Sequence, residues 1–256
     1  MDYKKIILGV VIFVILIFLY YWIFNDSGKK TLFRLKDANS RVVVDAKKNV
    51  LPSSIFSWSF WVYVKEYTTK FSENKDIILI TNGATSKKNL SIYLKENVND
   101  LVVTLATGSG DAPTYESTTV ERFPIQKWTH VLVSHRNRAV DVYIDGKIVK
   151  STVFAKPYVT PSQGTQSVII NPTPKEVTPE TTSDSLRTGP ETNTNAGYNG
   201  FLATMQYFAR AVQPEEAYAI YKAGYNGGNW LSDLFNKYRL KIAFMEDSNE
   251  INSFVL

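Results

Sequence analysis

Carboxylates and histidines are the side chains in this sequence that could carry acid–base chemistry. A retaining glycosidase needs two carboxyl groups about 5 Å apart, which alternating acids on one strand often supply. The nearest arrangement is Asp141 and Asp145, which are four residues apart, and Asp145 also begins an Asp-Gly turn. No Glu-x-Asp-x-Glu pattern occurs, so the sequence does not predict a glycan hydrolase.

The two histidines, His130 and His135, fall on opposite faces of one predicted strand. We expect His130 to be a packed, hydrogen-bonded structural residue and His135 to lie at the surface. Cysteine is absent, which excludes a thiolate nucleophile, a cysteine-based zinc site and a disulfide framework. The sequence therefore predicts no catalytic residue, no cofactor and no metal site.

The elements that position these residues begin with an apolar run, residues 6–24, that has no charge, amide or proline. As a helix it would span roughly 28 Å, close to the ~30 Å hydrocarbon core of a bilayer. Its bulky C-terminal end lacks the small residues of a signal-peptide cleavage site. We expect residues 1–30 to form a retained single-pass anchor with a short linker. The residues expected to span the membrane are Ile6, Leu8, Val11, Phe13, Ile15, Ile17, Leu19, Tyr21, Trp22 and Phe24.

Charge limits the classes of partner and the orientation of the chain. The net charge of +5 is spread without a dense basic block, which does not favour nucleic acid binding. Lys4 and Lys5 precede the apolar run, whereas four cations lie between residues 29 and 36 after it. This slight excess favours a domain that faces the cytoplasm, and the missing cysteines agree with a reducing compartment.

Short strands with almost no helix between them predict an antiparallel two-sheet sandwich over residues 31–256. The Asp145-Gly146 dipeptide predicts a type I′ hairpin turn. Helices are expected from Pro214 to about Lys222 and over residues 230–238. The predicted strands are residues 41–46, 56–64, 76–81, 90–94, 101–105, 128–135, 139–144, 147–151, 168–170, 200–208 and 239–244.

Residues 157–195 differ from this pattern, because they hold six of the ten prolines among Thr, Ser, Asn and Glu. Such a segment buries little apolar surface and is expected to be a long surface insert. Tyr115, Tyr158 and Tyr198 are expected in exposed loops, where they are candidates for ligand contact. Asn25 and Asn89 each begin an Asn-x-Ser glycosylation sequon that could report the topology of the anchor.

Four segments, in order, resemble the laminin-G-like members of the concanavalin A-like lectin and glucanase superfamily. They are residues 56–62, residues 78–83, the hairpin formed by 128–133 with 142–146, and residues 198–216. The resemblance implies an all-β, antiparallel jelly-roll sandwich with a lectin-like binding function. Calcium sites of related domains use loop carboxylates, for which Asp76 and Asp111 are candidates. These acids form no cluster in the sequence, so calcium is unsupported.

The anchor, the missing cysteines and the Pro/Thr-rich insert also resemble membrane-anchored proteins of large DNA viruses. We therefore predict a non-enzymatic membrane protein that presents a lectin-like scaffold domain. Its expected partners are the lipid bilayer and capsid-type structural proteins, and its expected place is the virion membrane beneath the capsid, or otherwise a cellular membrane. The alternative is a surface glycan-binding receptor. A third hypothesis is a glycan hydrolase whose carboxylate pair comes from distant segments.

Overall fold

The computed structural model describes residues 11–15, 17, 19, 28–45, 53–68, 71–82, 87–109, 112–161, 166–172, 197–225, 241–246 and 249–255. Residues 11–15, 17 and 19 are helical. Within the described ranges, no helix has both the length and the apolar character needed to cross a membrane. Most of the predicted anchor, the predicted helix at 230–238 and residues 162–165 and 173–195 of the insert lie outside these ranges.

The described part of the domain is built from antiparallel strands and one helix, α1 (Pro214–Lys222). The strands are β1 (Lys29–Asp37), β2 (Val42–Val44), β3 (Ile55–Val64), β4 (Lys75–Asn82), β5 (Lys87–Leu94), β6 (Leu101–Gly108), β7 (Pro113–Val120), β8 (Thr129–Arg136), β9 (Ala139–Ile144), β10 (Lys147–Val153), β11 (Gln166–Ile170), β12 (Gly200–Phe208), β13 (Lys241–Glu246) and β14 (Asn249–Val255).

Twelve of these strands form two six-stranded sheets. Sheet A has the order β1-β12-β3-β8-β9-β10, and sheet B has the order β2-β11-β4-β5-β6-β7. Strands β13 and β14 form a separate antiparallel hairpin. The all-β, two-sheet prediction is therefore confirmed, since all ladders within both sheets are antiparallel.

The core lies between the inner faces of the two sheets. Alternate residues of β3, such as Trp58 and Phe60, belong to one apolar cluster with Ile78 and Ile80 of sheet B. The Trp58 ring is fully buried and packs 5.2 Å from the Tyr207 ring, centroid to centroid. Because side chains alternate across a strand, the remaining residues of β3 face outward from sheet A.

Helix α1 covers part of this outer face. Pro214 occupies its first turn together with two acidic residues, where free N–H groups favour them. The helix ends at Lys222, as predicted, and is followed by Gly224 at a positive φ of 75°, a common conformation after a helix C-terminus. Ala217 of the helix packs with Leu132 and Tyr143 of sheet A, so that the helix is fixed over β8 and β9.

The type I′ turn is also confirmed, with Asp145 at φ 49° and Gly146 at φ 74°. Strands β1, β7 and β14 were not predicted. The sequences of β1 and β7 are rich in charged and hydroxyl side chains, because both are edge strands with one side unpaired.

Candidate binding surface

The outer face of sheet A presents aromatic side chains from neighbouring strands. Trp61 of β3 lies directly opposite His130 of β8 in the ladder, and both rings point away from the sandwich core. Their centroids are 5.2 Å apart. The ring of Tyr221, from the end of α1, stacks on Trp61 at 5.6 Å and closes over the pair. Trp61 and His130 are buried and Tyr221 is half-buried, so the three rings form a layer between sheet A and the helix.

The β9–β10 turn fixes the position of the helix above this layer. A Cβ atom at Gly146 would lie 2.9 Å from Cβ of Tyr221 and 3.0 Å from Cα of Tyr218. Only glycine therefore fits between the turn and α1. Its positive φ is a second reason for glycine at the same position.

A second layer of rings lies beside the helix and reaches solvent. We call Tyr63, Trp128, Phe201 and Tyr225 the aromatic surface. Trp128 and Tyr225 stack almost in parallel, with centroids 5.0 Å apart and an interplanar angle of 4°. Tyr63 lies 5.6 Å from Trp128 and 6.4 Å from Phe201. Phe201 and Tyr225 are each 40% exposed, so the cluster is open to a partner.

The backbone of Tyr225 is tied to the sheet. The hydroxyl of Thr204 donates a hydrogen bond to the Tyr225 carbonyl. Thr204 lies at a β-bulge between Ala203 and Gln206 and has a positive φ of 46°. The bulge thus turns the Thr204 hydroxyl toward the residues that follow α1.

Ser59 and His130 form the contact in this region that most resembles a catalytic pair. The Ser59 Oγ and His130 Nε2 atoms are 2.9 Å apart, the distance of a nucleophile and its base. Both residues are buried, and burial lowers the pKa of His130 to about 4. Nδ1 of His130 has no hydrogen-bond partner among the described residues, so no acid orients the ring. The pair is closed to substrate, and His130 is confirmed as a packed, hydrogen-bonded residue.

The expectation that His135 lies at the surface is wrong. His135 pairs with Phe56 in the β3–β8 ladder and therefore points into the sandwich core. Its ring stacks on Phe56 at 5.0 Å and meets the edge of Tyr158 at 5.2 Å. Burial lowers the pKa of His135 to about 4, so the ring is neutral and packs as an aromatic side chain.

The three tyrosines that were candidates for ligand contact differ in their exposure. Tyr158 and Tyr198 were expected to be exposed, and this is wrong, because both are buried in the apolar core. Tyr158 is drawn inward by a bridge to Thr107 of β6. Tyr198 lies among glycines whose backbones approach neighbouring strands closely. Tyr115 is 50% exposed on β7, and its role in ligand contact stays a prediction.

The two carboxylates of β9 and its turn, Asp141 and Asp145, take part in structural hydrogen bonds. Asp145 accepts a hydrogen bond from the His130 backbone N–H at 2.9 Å, and Asp141 accepts one from Ser151 at 2.5 Å. Asp76 is buried, which raises its pKa to about 7 despite the nearby Lys88. Asp111 lies outside the described residues. Over the described ranges, no three acidic or histidine side chains are grouped to hold a metal ion.

The other end of the outer face holds a small cavity of about 150 Å³, at the start of α1. Asp141 and Tyr143 lie side by side at the cavity, where burial and then the Asp141 charge raise the pKa of Tyr143. The cavity is lined by Ser134, Arg136, Ala139, Asp141, Tyr143, Ile148, Ala211, Val212, Gln213 and Pro214. Its volume is below the ~300 Å³ lower end of ordinary ligand pockets, so the aromatic surface is the stronger candidate.

The sequence analysis did not identify the aromatic surface, because Tyr225 and Phe201 reach it from separate elements. The available signal was the pair formed by Tyr63 on β3 and Trp128 immediately before β8.

Comparisons with known proteins agree with this architecture. No curated protein sequence matches the chain. Among solved structures, the botulinum neurotoxin serotype D ligand-binding domain in complex with N-acetylneuraminic acid matches with a TM-score of 0.52 and 13% identity. That match covers 77% of this chain and 45% of the other.

The receptor-binding domain of the botulinum neurotoxin C/D mosaic serotype matches with a TM-score of 0.51 and 13% identity, over 74% of this chain and 42% of the other. The chain thus spans less than half the length of these domains, and the likeness shows the fold alone. The profile described as the concanavalin A-like lectin/glucanases superfamily matches residues 36–173, which is more than half of the sequence. The chain therefore belongs to the concanavalin A-like lectin/glucanase superfamily.

Proposed function

We propose that this chain is a non-enzymatic, single-pass membrane protein whose lectin-like domain binds another protein. The observation that carries the proposal is the aromatic surface, in which Trp128 and Tyr225 stack beside two further rings and reach solvent. Tyrosine and tryptophan are enriched at the centres of protein interfaces, where they often contribute most of the binding energy. A protein partner would bury these rings.

The polar groups near the aromatic surface favour a protein over a sugar. Sugar hydroxyls need polar side chains that converge on the aromatic ring from the solvent side. Here Ser59 and His130 are buried and bond to each other. Thr204 bonds to the Tyr225 carbonyl, and the exposed Lys127, beside Trp128, is paired with Asp145 at 3.4 Å. These groups are therefore already engaged within the chain.

In the viral form of this proposal, the domain links the virion membrane to capsid-type proteins. Support comes from the predicted anchor at residues 6–24, which would hold the domain at a membrane, and from the open aromatic surface. In a cellular setting the same domain would link a membrane to another protein assembly.

Photo-cross-linking in intact particles tests the proposal. A photoreactive phenylalanine analogue replaces Tyr225 in the full chain, and the same analogue at Phe71 is the matched control. Both side chains are exposed, at 40% and 47%, but Phe71 lies between β3 and β4 and is not part of the aromatic surface. We expect adducts with a coat protein from position 225 only. Adducts confined to lipid, or equal yields from both positions, would contradict the proposal.

Glycan binding is the second candidate, because the flat face of the Trp128–Tyr225 stack could also pack against a sugar ring. A solved structure with the same fold is a complex with N-acetylneuraminic acid. The test is a glycan array probed with the full chain in detergent, with and without calcium. Binding that Trp128→Ala abolishes would support this candidate, whereas an empty array would count against it.

A further inference from the structure

Strand β1 is the first strand after the predicted anchor and forms one edge of sheet A. It pairs with β12 on one side only. Its sequence, KKTLFRLKD, holds four cations and one carboxylate in nine residues. All four cationic residues are exposed, and none forms a salt bridge with another described residue. They are Lys29, Lys30, Arg34 and Lys36.

The position of β1 along the chain keeps it close to a bilayer. Between Phe24, where the predicted anchor ends, and Lys29, an extended chain reaches at most about 18 Å. The start of β1 therefore cannot move far from the lipid headgroups. Leaflets that carry anionic lipid attract basic segments placed next to a membrane helix.

The length and orientation of β1 determine how many of its cations lie close enough to the headgroups to be attracted. Lys29 and Lys36 are separated by about 23 Å along the strand, at ~3.3 Å per residue. Screening at physiological salt limits the attraction to about 8 Å. An upright strand would therefore bring only Lys29 and Lys30 near the headgroups, whereas a strand lying along the surface would bring all four cations there.

We propose that β1 lies along an anionic membrane surface and holds sheet A edge-on to the bilayer. The proposal rests on the membrane anchor of the proposed function, and the partner is the anionic lipid headgroup. Strand β10, at the opposite edge, would then be held about 24 Å farther out, since five inter-strand spacings of ~4.8 Å separate the two edges. The aromatic surface, on the outer face of the same sheet, would stand clear of the lipid.

The absence of cysteine allows a label to be placed at one site of the full chain. Leu35→Cys on β1 and Val153→Cys on β10 form a matched pair, because both side chains are exposed, at 59% and 68%, on opposite edges of sheet A. Each labelled chain is placed in nanodiscs of phosphatidylcholine, with or without phosphatidylserine. A quencher attached to the lipid headgroups then reports the distance of the label from the surface.

We expect several-fold stronger quenching at position 35 than at position 153 in discs that contain phosphatidylserine. The difference should shrink in phosphatidylcholine alone and at 1 M salt, where the screening length is about 3 Å. Arg34→Gln with Lys36→Gln should reduce quenching at position 35. Lys147→Gln with Lys150→Gln, which removes two charges from β10, should leave it unchanged.

Equal quenching at the two edges, or quenching at position 35 that ignores lipid charge, would overturn the proposal. An effect of Lys29→Gln with Lys30→Gln but none of the Arg34 and Lys36 pair would indicate an upright strand and would also overturn it. Failure of the chain to enter either disc would contradict the anchor itself, and the proposal with it. These results separate a failure of the β1 contact from a failure of the proposed function.

Discussion

The inner and outer faces of sheet A accept the same residue type in two different ways. His130 and His135 lie on one strand, β8, and both are buried. On the outer face, His130 is a polar group that meets Ser59 at 2.9 Å. On the inner face, His135 packs between two aromatic rings, and its hydrogen-bonding neighbours are backbone groups of Ser54 and Asn137. The inner face thus holds the ring mainly by packing, whereas the outer face also supplies a side-chain hydrogen-bond partner.

The largest contrast should come from the tryptophans of the two faces. Trp58→Ala removes a fully buried ring of the inner face and should lower the free energy of unfolding by about 3–5 kcal/mol. Trp128→Ala removes a partly exposed ring of the aromatic surface and should cost about 1 kcal/mol, while it weakens partner binding. Denaturant unfolding of the full chain in detergent measures both. Equal losses would mean that the aromatic surface is part of the core.

The histidines should make the domain sensitive to acid. Their pKa values, about 4 in the folded chain, are below the ordinary value of 6.5, so unfolding takes up protons. Their stabilising contribution is complete above pH 6.5 and is lost as the pH falls toward 4. Between about pH 7.5 and pH 5, each histidine should account for a loss of about 2 kcal/mol.

His130→Phe and His135→Phe each test this contribution, by comparing the pH dependence of unfolding with that of the original chain. Asp76 acts in the opposite direction, because its raised pKa destabilises the fold as the pH rises through about 7. The series should therefore also be run with Asp76→Asn. A variant that keeps the full acid sensitivity would show that its histidine is not responsible.

Ser59→Ala tests the hydrogen bond that distinguishes the outer face. The change leaves Nε2 of His130 buried without its partner, which should cost about 1–2 kcal/mol. Ser117→Ala removes an exposed hydroxyl that bonds to Thr104, and it should change stability by less than about 0.5 kcal/mol. Similar losses in the free energy of unfolding for the two variants would mean that the hydrogen bond between Ser59 and His130 does not stabilise the fold.

Among the contacts of the outer face, the salt bridge at its rim should have the smallest effect. Lys127 and Asp145 are 3.4 Å apart, but the lysine side chain is 55% exposed, so solvent screens the pair. Lys127→Ala should lower the free energy of unfolding by less than about 1 kcal/mol, and added salt should reduce the difference further. A larger loss would show that the rim supports the neighbouring Trp128.

Sequence patterns correctly predicted the elements that are determined by residues adjacent in the chain. The Asp145-Gly146 turn follows from two residues that tolerate positive φ, and β12 has the predicted bounds. Strands β1 and β7 were missed because edge strands resemble polar loops in composition.

The placement of side chains depended on distant partners and could not be predicted in the same way. His135 is buried because β8 pairs with β3 in a register that sets it opposite Phe56. Tyr225 joins Trp128 only because α1 folds back over sheet A. A single sequence contains neither relation, so the family fold was predictable while the aromatic surface was not.

The side-chain nitrogen of Asn89 is already engaged in the folded domain, where it donates a hydrogen bond to the Val159 carbonyl at 2.8 Å. The side chain is also buried. An oligosaccharyl transfer to Asn89 needs this same nitrogen, so it would have to precede folding of β5. Glycosylation of Asn89 would therefore show that the sugar was transferred before the domain folded. An unmodified Asn89 would not identify the side of the membrane on which the domain lies.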